Sequence, residues 1–391
     1  MPLDLKKIDI MKSCICFFFT VICVFLFVSC KETEGIKSTI NEVSLEVSVS
    51  KEESTLSEEF TDVEIIPLEN KREALVCNVH KMIVTDNGMY LWDNGPIPQV
   101  LSFSLDGKYK GNIGKMGHAK GEYQLIMNIA ANHRGDTIAI LKYPNADLFD
   151  KDGRFLSSLE IKDDKGTEDM LLTKSGYYLG YLHRHEKYLM SMYSNNNVHL
   201  ADFVETSTDI IRSSLIAHNG SYLQQDNNNI YCLDIFNSSI YVINKTNPDD
   251  ITRYTINMEN ILTEDIAGKV ADDGDKIHEY YHIASYQADN GVVRGLIERN
   301  KDYYECYGFK FSISDKTVTL MKHKGLDYDF ICNYKGYFYK LVSAEQILSY
   351  LDSKNTYLEP QRKFLGNALN SLDGKVSLTD NYYIIKMRSK E

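Results

Sequence analysis

A unit of four short strands that recurs at a fixed spacing constrains this chain more than any other feature. Four β-rich runs, residues 80–85, 89–92, 100–105 and 109–113, are separated by Asp86-Asn87-Gly88, Asp93-Asn94-Gly95 and Asp106-Gly107. Gly, Asn and Asp tolerate the positive φ that tight hairpin turns demand. A second series follows at 126–131, 137–143, 146–149 and 155–161, broken at Arg134-Gly135-Asp136 and Asp152-Gly153. The two Asp-Gly turns hold corresponding places, with Gly107 and Gly153 standing 46 residues apart. One four-stranded sheet cannot cover both of its faces, so units of this kind must stack. A period of 40–50 residues with four strands predicts blades packed around an axis.

Less regular series continue the pattern. Residues 170–175, 177–182, 188–193 and 200–204 form a third, and 214–217, 221–224, 230–234 and 240–243 a fourth. A partly helical insertion near 257–275 precedes a fifth at 281–288, 292–298, 304–313 and 318–321. The sixth takes 330, 337–341 and 382–387, with a helical stretch near 344–351 inside it. Closing a ring requires a strand from one chain end to complete a sheet begun by the other, which removes an exposed edge. Residues 62–68 are the expected partner of 381–386. The expected fold is all-β, a six-bladed β-propeller of four-stranded antiparallel blades over residues 58–391; the strand count also accommodates seven.

The N-terminus carries a different signal. Lys6, Lys7 and Lys12 precede an uncharged run from Cys14 to Val28, about fifteen residues against the roughly 20 a membrane-spanning helix needs. The run ends at Phe27-Val28-Ser29-Cys30. A basic segment, a short apolar segment and a small residue before the cleavage point make an export signal. The terminal Cys gives it the look of a bacterial lipoprotein signal, in which Cys30 is acylated and becomes the new N-terminus; Phe27 stands where Leu is usual. The expected division is a signal peptide over 1–29, with 1–10 as a start-site artefact if Met11 is the true start, and a lipidated tether over 30–57. An edge strand or extended arm is expected within that tether, at the alternation Val43 to Val49. The alternative is a retained membrane anchor. Lys31-Glu32-Thr33-Glu34 resembles a short surface-export signal of some Gram-negative lipoproteins, and reads equally as a solvated spacer. The expected location is the outer membrane, lipid-anchored, at the cell surface or periplasmic face, with membrane lipid as one partner through Cys30.

The segment Phe103-Ser104-Leu105-Asp106-Gly107-Lys108, then Ile113-Gly114-Lys115-Met116-Gly117-His118-Ala119-Lys120-Gly121-Glu122-Tyr123, resembles the bacterial six-bladed β-propeller lipoproteins related to NHL-type propellers. That family usually shows Gly-x-Gly-Pro-Gly-Glu-Tyr, where this chain has Ala119 and Lys120. The resemblance covers most of the chain from about Phe60. It implies an exported, lipid-anchored propeller and lends architecture rather than chemistry.

Net charge is −12, and loss of the three Lys and two Asp of the signal leaves −13, which excludes a generally basic nucleic-acid-binding surface. Four cysteines lie outside the signal, Cys77, Cys232, Cys306 and Cys332, with no CxxC among them. Zinc knuckles and thioredoxin-like chemistry are therefore unsupported; export permits disulfides, whose pairing the sequence leaves open. His278-Glu279-Tyr280-Tyr281-His282 matches the zinc-protease pattern H-E-x-x-H, which works only on a helix that places both histidines on one face. The next residues, Ile283-Ala284-Ser285-Tyr286-Gln287, read as strand, so His278 and His282 are weak metal candidates and no metal or cofactor is expected. His183 and His185 form a polar loop that could take a metal or acidic ligand. Trp92 suits either a sugar face or packing between blades. Glu122 and Tyr123 either pin the Gly-rich connection or touch a ligand on it. Without G-x-S-x-G there is no nucleophile elbow. The expected function is a binding or scaffold module for a glycan, peptide or envelope protein. The alternative is a propeller hydrolase or lyase acting on polysaccharide or peptide.

Overall fold

The computed structural model describes residues 40–49, 56–161, 167–181, 187–206, 221–270, 274–322 and 329–390. The signal segment, Cys30 and the Lys31–Glu34 run therefore lie outside the described residues. In the unit Ser38–Glu391, β1 (Ile40–Val49) and β2 (Phe60–Pro67) are followed by antiparallel runs of four. The first is β3 (Val79–Thr85), β4 (Gly88–Asp93), β5 (Gln99–Phe103) and β6 (Tyr109–Asn112). A small parallel pair, β7 (Lys115–Met116) and β8 (Glu122–Tyr123), leads to the second run. That run is β9 (Asn128–Ala131), β10 (Thr137–Lys142), β11 (Asn145–Asp150) and β12 (Phe155–Glu160). The third is β13 (Asp169–Leu172), β14 (Gly176–Gly180), β15 (Tyr188–Ser194) and β16 (His199–Glu205).

The next two runs are β17 (Leu223–Gln225), β18 (Asn229–Asp234), β19 (Ser239–Asn244), β20 (Ile251–Asn257), and β21 (His282–Asp289), β22 (Val292–Asn300), β23 (Tyr304–Ser312), β24 (Thr317–Met321). The last sheet joins the two ends of the chain, in the order β2, β27 (Tyr383–Ser389), β26 (Tyr337–Val342) and β25 (Cys332–Tyr334). The expected closing partners do pair, antiparallel, with Ile65 opposite Ile385 and Ile66 opposite Ile384. The first strands β3, β9, β13, β17, β21 and β25 contact one another in that order, and β25 returns to β3. This is a propeller arrangement.

Burial on both faces explains the composition of the strands. Every residue of β4 is buried, as in any sheet covered on two sides. Between the first two runs, Tyr90, Trp92 and Ile113 pack with Ile129, Ile138 and Phe149. Between the last sheet and the first run, Met82 and Leu91 pack with Tyr339 and Ile384. The expected helical stretches are present at Glu264–Val270, Gly274–Ile277 and Ala344–Leu351, the last opening on a capping box formed by Ser343 and Gln346, while a further helix at Glu359–Asn370 was not expected.

Two expectations change. The fourth run ends with Ile251–Asn257, not at 240–243, and begins at Leu223; residues 214–217, expected as its first strand, lie outside the described residues. The alternation of Ile251, Arg253 and Thr255 against Thr252, Tyr254 and Ile256 is a strand pattern that the neighbouring helical insertion obscures. The segment expected as an edge strand or free arm is interior. β1 pairs in parallel with β20 on one side and with β24 on the other, joining two runs into one nine-stranded sheet. Its apolar side seats fully buried Leu45, flanked by Val43 and Val47, in the core shared by those runs. The strand Ile40–Val49 thus lies within the segment expected as tether. Leu45→Ala is expected to lower stability by about 2–5 kcal/mol, the usual range for emptying a sealed leucine site. Urea denaturation checks this; a loss below about 1 kcal/mol would mean that β1 docks loosely.

Candidate polar cavity at the axis

The six first strands run side by side, and side chains join them where no backbone ladder does. Gln224 Nε2 donates to the Tyr286 carbonyl at 2.6 Å, while its Oε1 accepts from Ala288 N–H at 3.0 Å. Asn333 Nδ2 donates to Ala288 O at 2.8 Å, Gln287 Nε2 to Phe330 O at 3.2 Å and Gln225 Nε2 to Leu172 O at 3.0 Å. Buried backbone carbonyls are thereby satisfied. On the other side of the axis Lys81 Nζ donates to Asn128 Oδ1 at 2.6 Å and to Asp169 Oδ1 at 3.1 Å. Asp169 also accepts the Leu223 N–H at 2.9 Å. The Lys81–Asp169 ion pair is almost wholly buried, so three first strands are tied by charge within the core.

Lys81, Gln224, Gln225, Gln287 and Asn333 of this lattice line an axial cavity of about 170 Å³. It meets a second cavity of about 340 Å³, with which it shares His133, Gln225, Asn333 and Tyr334. The larger one opens among the hairpins that join first to second strands. Five of the six such turns reach it, through His133, Lys174, Asn227, Asn290 and Lys335, so no single run builds the site. The turn chemistry is local: Asn290-Gly291 and Lys335-Gly336 both have positive φ at each central residue, the two-residue hairpin geometry that Asn and Gly favour.

Two carboxyl groups line this cavity and are shifted in opposite directions. Burial would raise Asp226, but hydrogen bonds from Tyr231 Oη and from the N–H groups of Asn228, Asn229 and Gly291 outweigh it and hold the carboxyl below its ordinary range. Asp289 is raised, by burial and by the nearby Asp226 charge, against the opposing pull of Arg294 and the Gly336 N–H. Lys245 is lowered by burial, with Asp226 opposing and Lys174 reinforcing. It donates to Gln225 Oε1 at 2.8 Å and to the Asp226 carbonyl.

The residues singled out from sequence lie elsewhere. Trp92 is buried among Tyr90, Val100, Tyr123 and Phe149, its ring 4.4 Å from that of His80. Glu122 holds the Gly-rich connection: its Oε2 accepts the Ala119 N–H at 2.9 Å and Oε1 meets Lys115 at 3.0 Å. A Cβ at Gly117, whose φ is +155°, would collide with that carboxylate. Tyr123 is buried beside Trp92. His183 and His185 lie outside the described residues. His278 follows a one-turn helix and His282 opens β21, so the two are not on one helix. Their ring centres are 5.7 Å apart, and His282 Nε2 stands 3.5 Å from Glu298 Oε1. Among the described residues no group of three His, Cys, Asp or Glu is placed to hold a metal. Among the described residues none of Cys77, Cys232, Cys306 and Cys332 is joined in a disulfide. None of Trp92, Glu122, Tyr123, His278 and His282 lines either axial cavity.

Sequence reasoning missed Asp226, Lys245 and Asp289. For Asp226 and Asp289 the available signal was positional: in each series the turn after the first strand falls at one end of the axis, and those turns read Asp226-Asn227, Asp289-Asn290-Gly291 and Lys335-Gly336, whereas Lys245 follows a third strand.

The model of the family described as Domain of unknown function (DUF4934) matches residues 40–388. The chain belongs to the DUF4934 family. The match begins at the first residue of β1, so the DUF4934 domain includes the inserted strand. Among solved structures, a Bacteroides fragilis NCTC 9343 protein described as exported is similar over 90% of this chain and 100% of its own, with a TM-score of 0.71 at 13% identity. A member of the DUF4221 family from Bacteroides vulgatus ATCC 8482 is similar over 87% of this chain and 98% of its own, with a TM-score of 0.51 at 9% identity. At such identities the likeness is one of fold. No curated protein matches the sequence. Among the described residues no helix is long and apolar enough to cross a membrane.

Proposed function

We propose that this DUF4934 protein is an exported, lipid-anchored six-bladed propeller that binds a small polar ligand, or the end of a larger one, at the turn-end cavity. Six blades are supported by the runs of four and by the closed order of contacts among β3, β9, β13, β17, β21 and β25. Export and acylation at Cys30 are supported by the basic segment, the uncharged run and the small residue before that Cys. An outer-membrane location, with the lipid as one partner, follows from that anchor. The similarly folded protein from Bacteroides fragilis is described as exported, which supports the export part of the reading. The observation that carries the binding reading is the cavity itself. Turns of five runs converge on it and bring amides and charged groups to one space, the composition that fixes ligands in propeller and cleft sites.

The direct test is titration of the purified protein against glycan and peptide panels. Binding to at least one class is expected, weakened about tenfold or more when Asn227→Trp fills the rim. Binding indifferent to that substitution would place the site elsewhere. A hydrolase or lyase is the second reading, favoured by Asp226 and Asp289 sharing one cavity with opposed shifts. It requires turnover of an oligosaccharide or peptide that Asp289→Asn abolishes.

A further inference from the structure

The turn-end cavity is lined by three lysines, Lys174, Lys245 and Lys335, against two aspartates, Asp226 and Asp289, although the whole chain is acidic at −12. Asp226 is occupied from within. Its Oδ1 accepts the N–H groups of Asn228 and Asn229 at 2.8 Å, and its Oδ2 accepts Tyr231 Oη–H and the Gly291 N–H at 3.0 Å. Four donors on two carboxylate oxygens leave little acceptor capacity for a ligand. Asp289 is raised by burial and by the Asp226 charge, against Arg294 and the Gly336 N–H. The cations are less committed. Lys245 uses two of its three N–H donors on Gln225 and the Asp226 carbonyl. Lys174 is exposed, and its ammonium has no partner among the described residues; it stands near enough to Lys245 to lower it. Lys335 alone is drawn aside, by Asp86. At the rim, the exposed side-chain amides of Asn227 and Asn290 are likewise unpaired among the described residues.

Lys174 and Lys245 line the same cavity and both keep spare donors, so an anion held there would relieve their mutual repulsion. Fixed amides beside them suit hydroxyl groups, which both donate and accept. We infer that this cavity is an anion subsite for a carboxylate carried on a hydroxylated ring, a hexuronate residue of an acidic saccharide. The inference rests on the cavity being the binding site proposed above. Lys174 and Lys245 receive the carboxylate, and the rim amides receive ring hydroxyls.

Calorimetric titration of the purified protein with trigalacturonate, neutral trigalactose, inorganic phosphate and a short polyglutamate peptide tests it. Trigalacturonate is expected to bind about tenfold or more tighter than trigalactose, and to weaken as salt rises. Lys174→Gln should weaken it about tenfold and Lys245→Met at least as much. Lys174 is exposed, so its variant keeps the test sound even if Lys245→Met fails to fold. Equal affinity for trigalactose, or trigalacturonate binding unchanged in Lys174→Gln, overturns the anion subsite while leaving the cavity as a binding site. Tighter binding of phosphate or polyglutamate than of trigalacturonate overturns the uronate assignment. Failure of all four probes to bind at the cavity overturns the subsite. Binding of other panel members there, sensitive to Asn227→Trp, would show the parent reading still standing.

Discussion

Asp169→Ala should cost this protein about 3–5 kcal/mol of folding stability, although the residue lies deep inside and touches no solvent. Asp169 is 0% exposed and its partner Lys81 is 7% exposed. Removing the carboxylate leaves an ammonium in the core with only the Asn128 carbonyl oxygen, at 2.6 Å, to hold it. The Leu223 N–H loses its acceptor at the same stroke. The penalty is that of an uncompensated buried charge, which exceeds what the pair contributes when both members are present. The double variant Asp169→Leu with Lys81→Met should therefore recover most of the loss. Trp92, the single tryptophan and 4% exposed, gives a fluorescence signal for urea unfolding at the packed boundary between the first two runs. A single-variant loss below about 1 kcal/mol, or a double variant no better than Asp169→Ala, would mean that water reaches the pair.

The same pair shows where sequence patterning stops being informative. The strands of the first two runs are legible because Asp106-Gly107 and Asp152-Gly153 punctuate them at corresponding places, 46 residues apart. Ring closure is legible too, since Ile65, Ile66, Ile384 and Ile385 mark two apolar strands at opposite ends of a chain that must hide its edges. β1 is not. Val43, Leu45 and Val47 alternate with polar residues as an edge strand would, and nothing local states that both backbone edges are taken. The axial lattice is harder still. Lys81, Asn128 and Asp169 are 47 and 41 residues apart, one per run, and meet only because three first strands converge. The cavity has the same character: each turn looks like ordinary hairpin chemistry, and its function depends on four others. Trp92 and the H-E-x-x-H pattern drew notice as single words in the sequence, whereas this fold assembles its polar sites from one residue per repeat.

Deleting residues 382–391 is expected to abolish cooperative folding altogether, a larger effect than any point substitution here. β27 is the strand that neither of its neighbours can replace. It pairs with β2 on one side and β26 on the other, so its loss opens two backbone edges at once. Its side chains alternate between two cores. Tyr383, Ile385 and Met387 enter the cluster around Phe60, Phe338 and Leu365, while Ile384 enters the cluster around Met82, Leu101 and Tyr339. Truncation therefore strips apolar contacts from both faces of the closing sheet. It also detaches β2, whose only strand partner among the described residues is β27. Ile385→Ala, removing one such side chain, should cost about 2–5 kcal/mol with cooperativity intact. The contrast separates closure from packing: a graded loss that scales with the apolar atoms removed would mean the runs fold independently. A single transition in Ile385→Ala, together with none in the truncated chain, is the outcome expected if the last sheet locks the rest. Circular dichroism and Trp92 fluorescence should then melt together in the first variant, while the truncated chain shows no sharp melt by either probe.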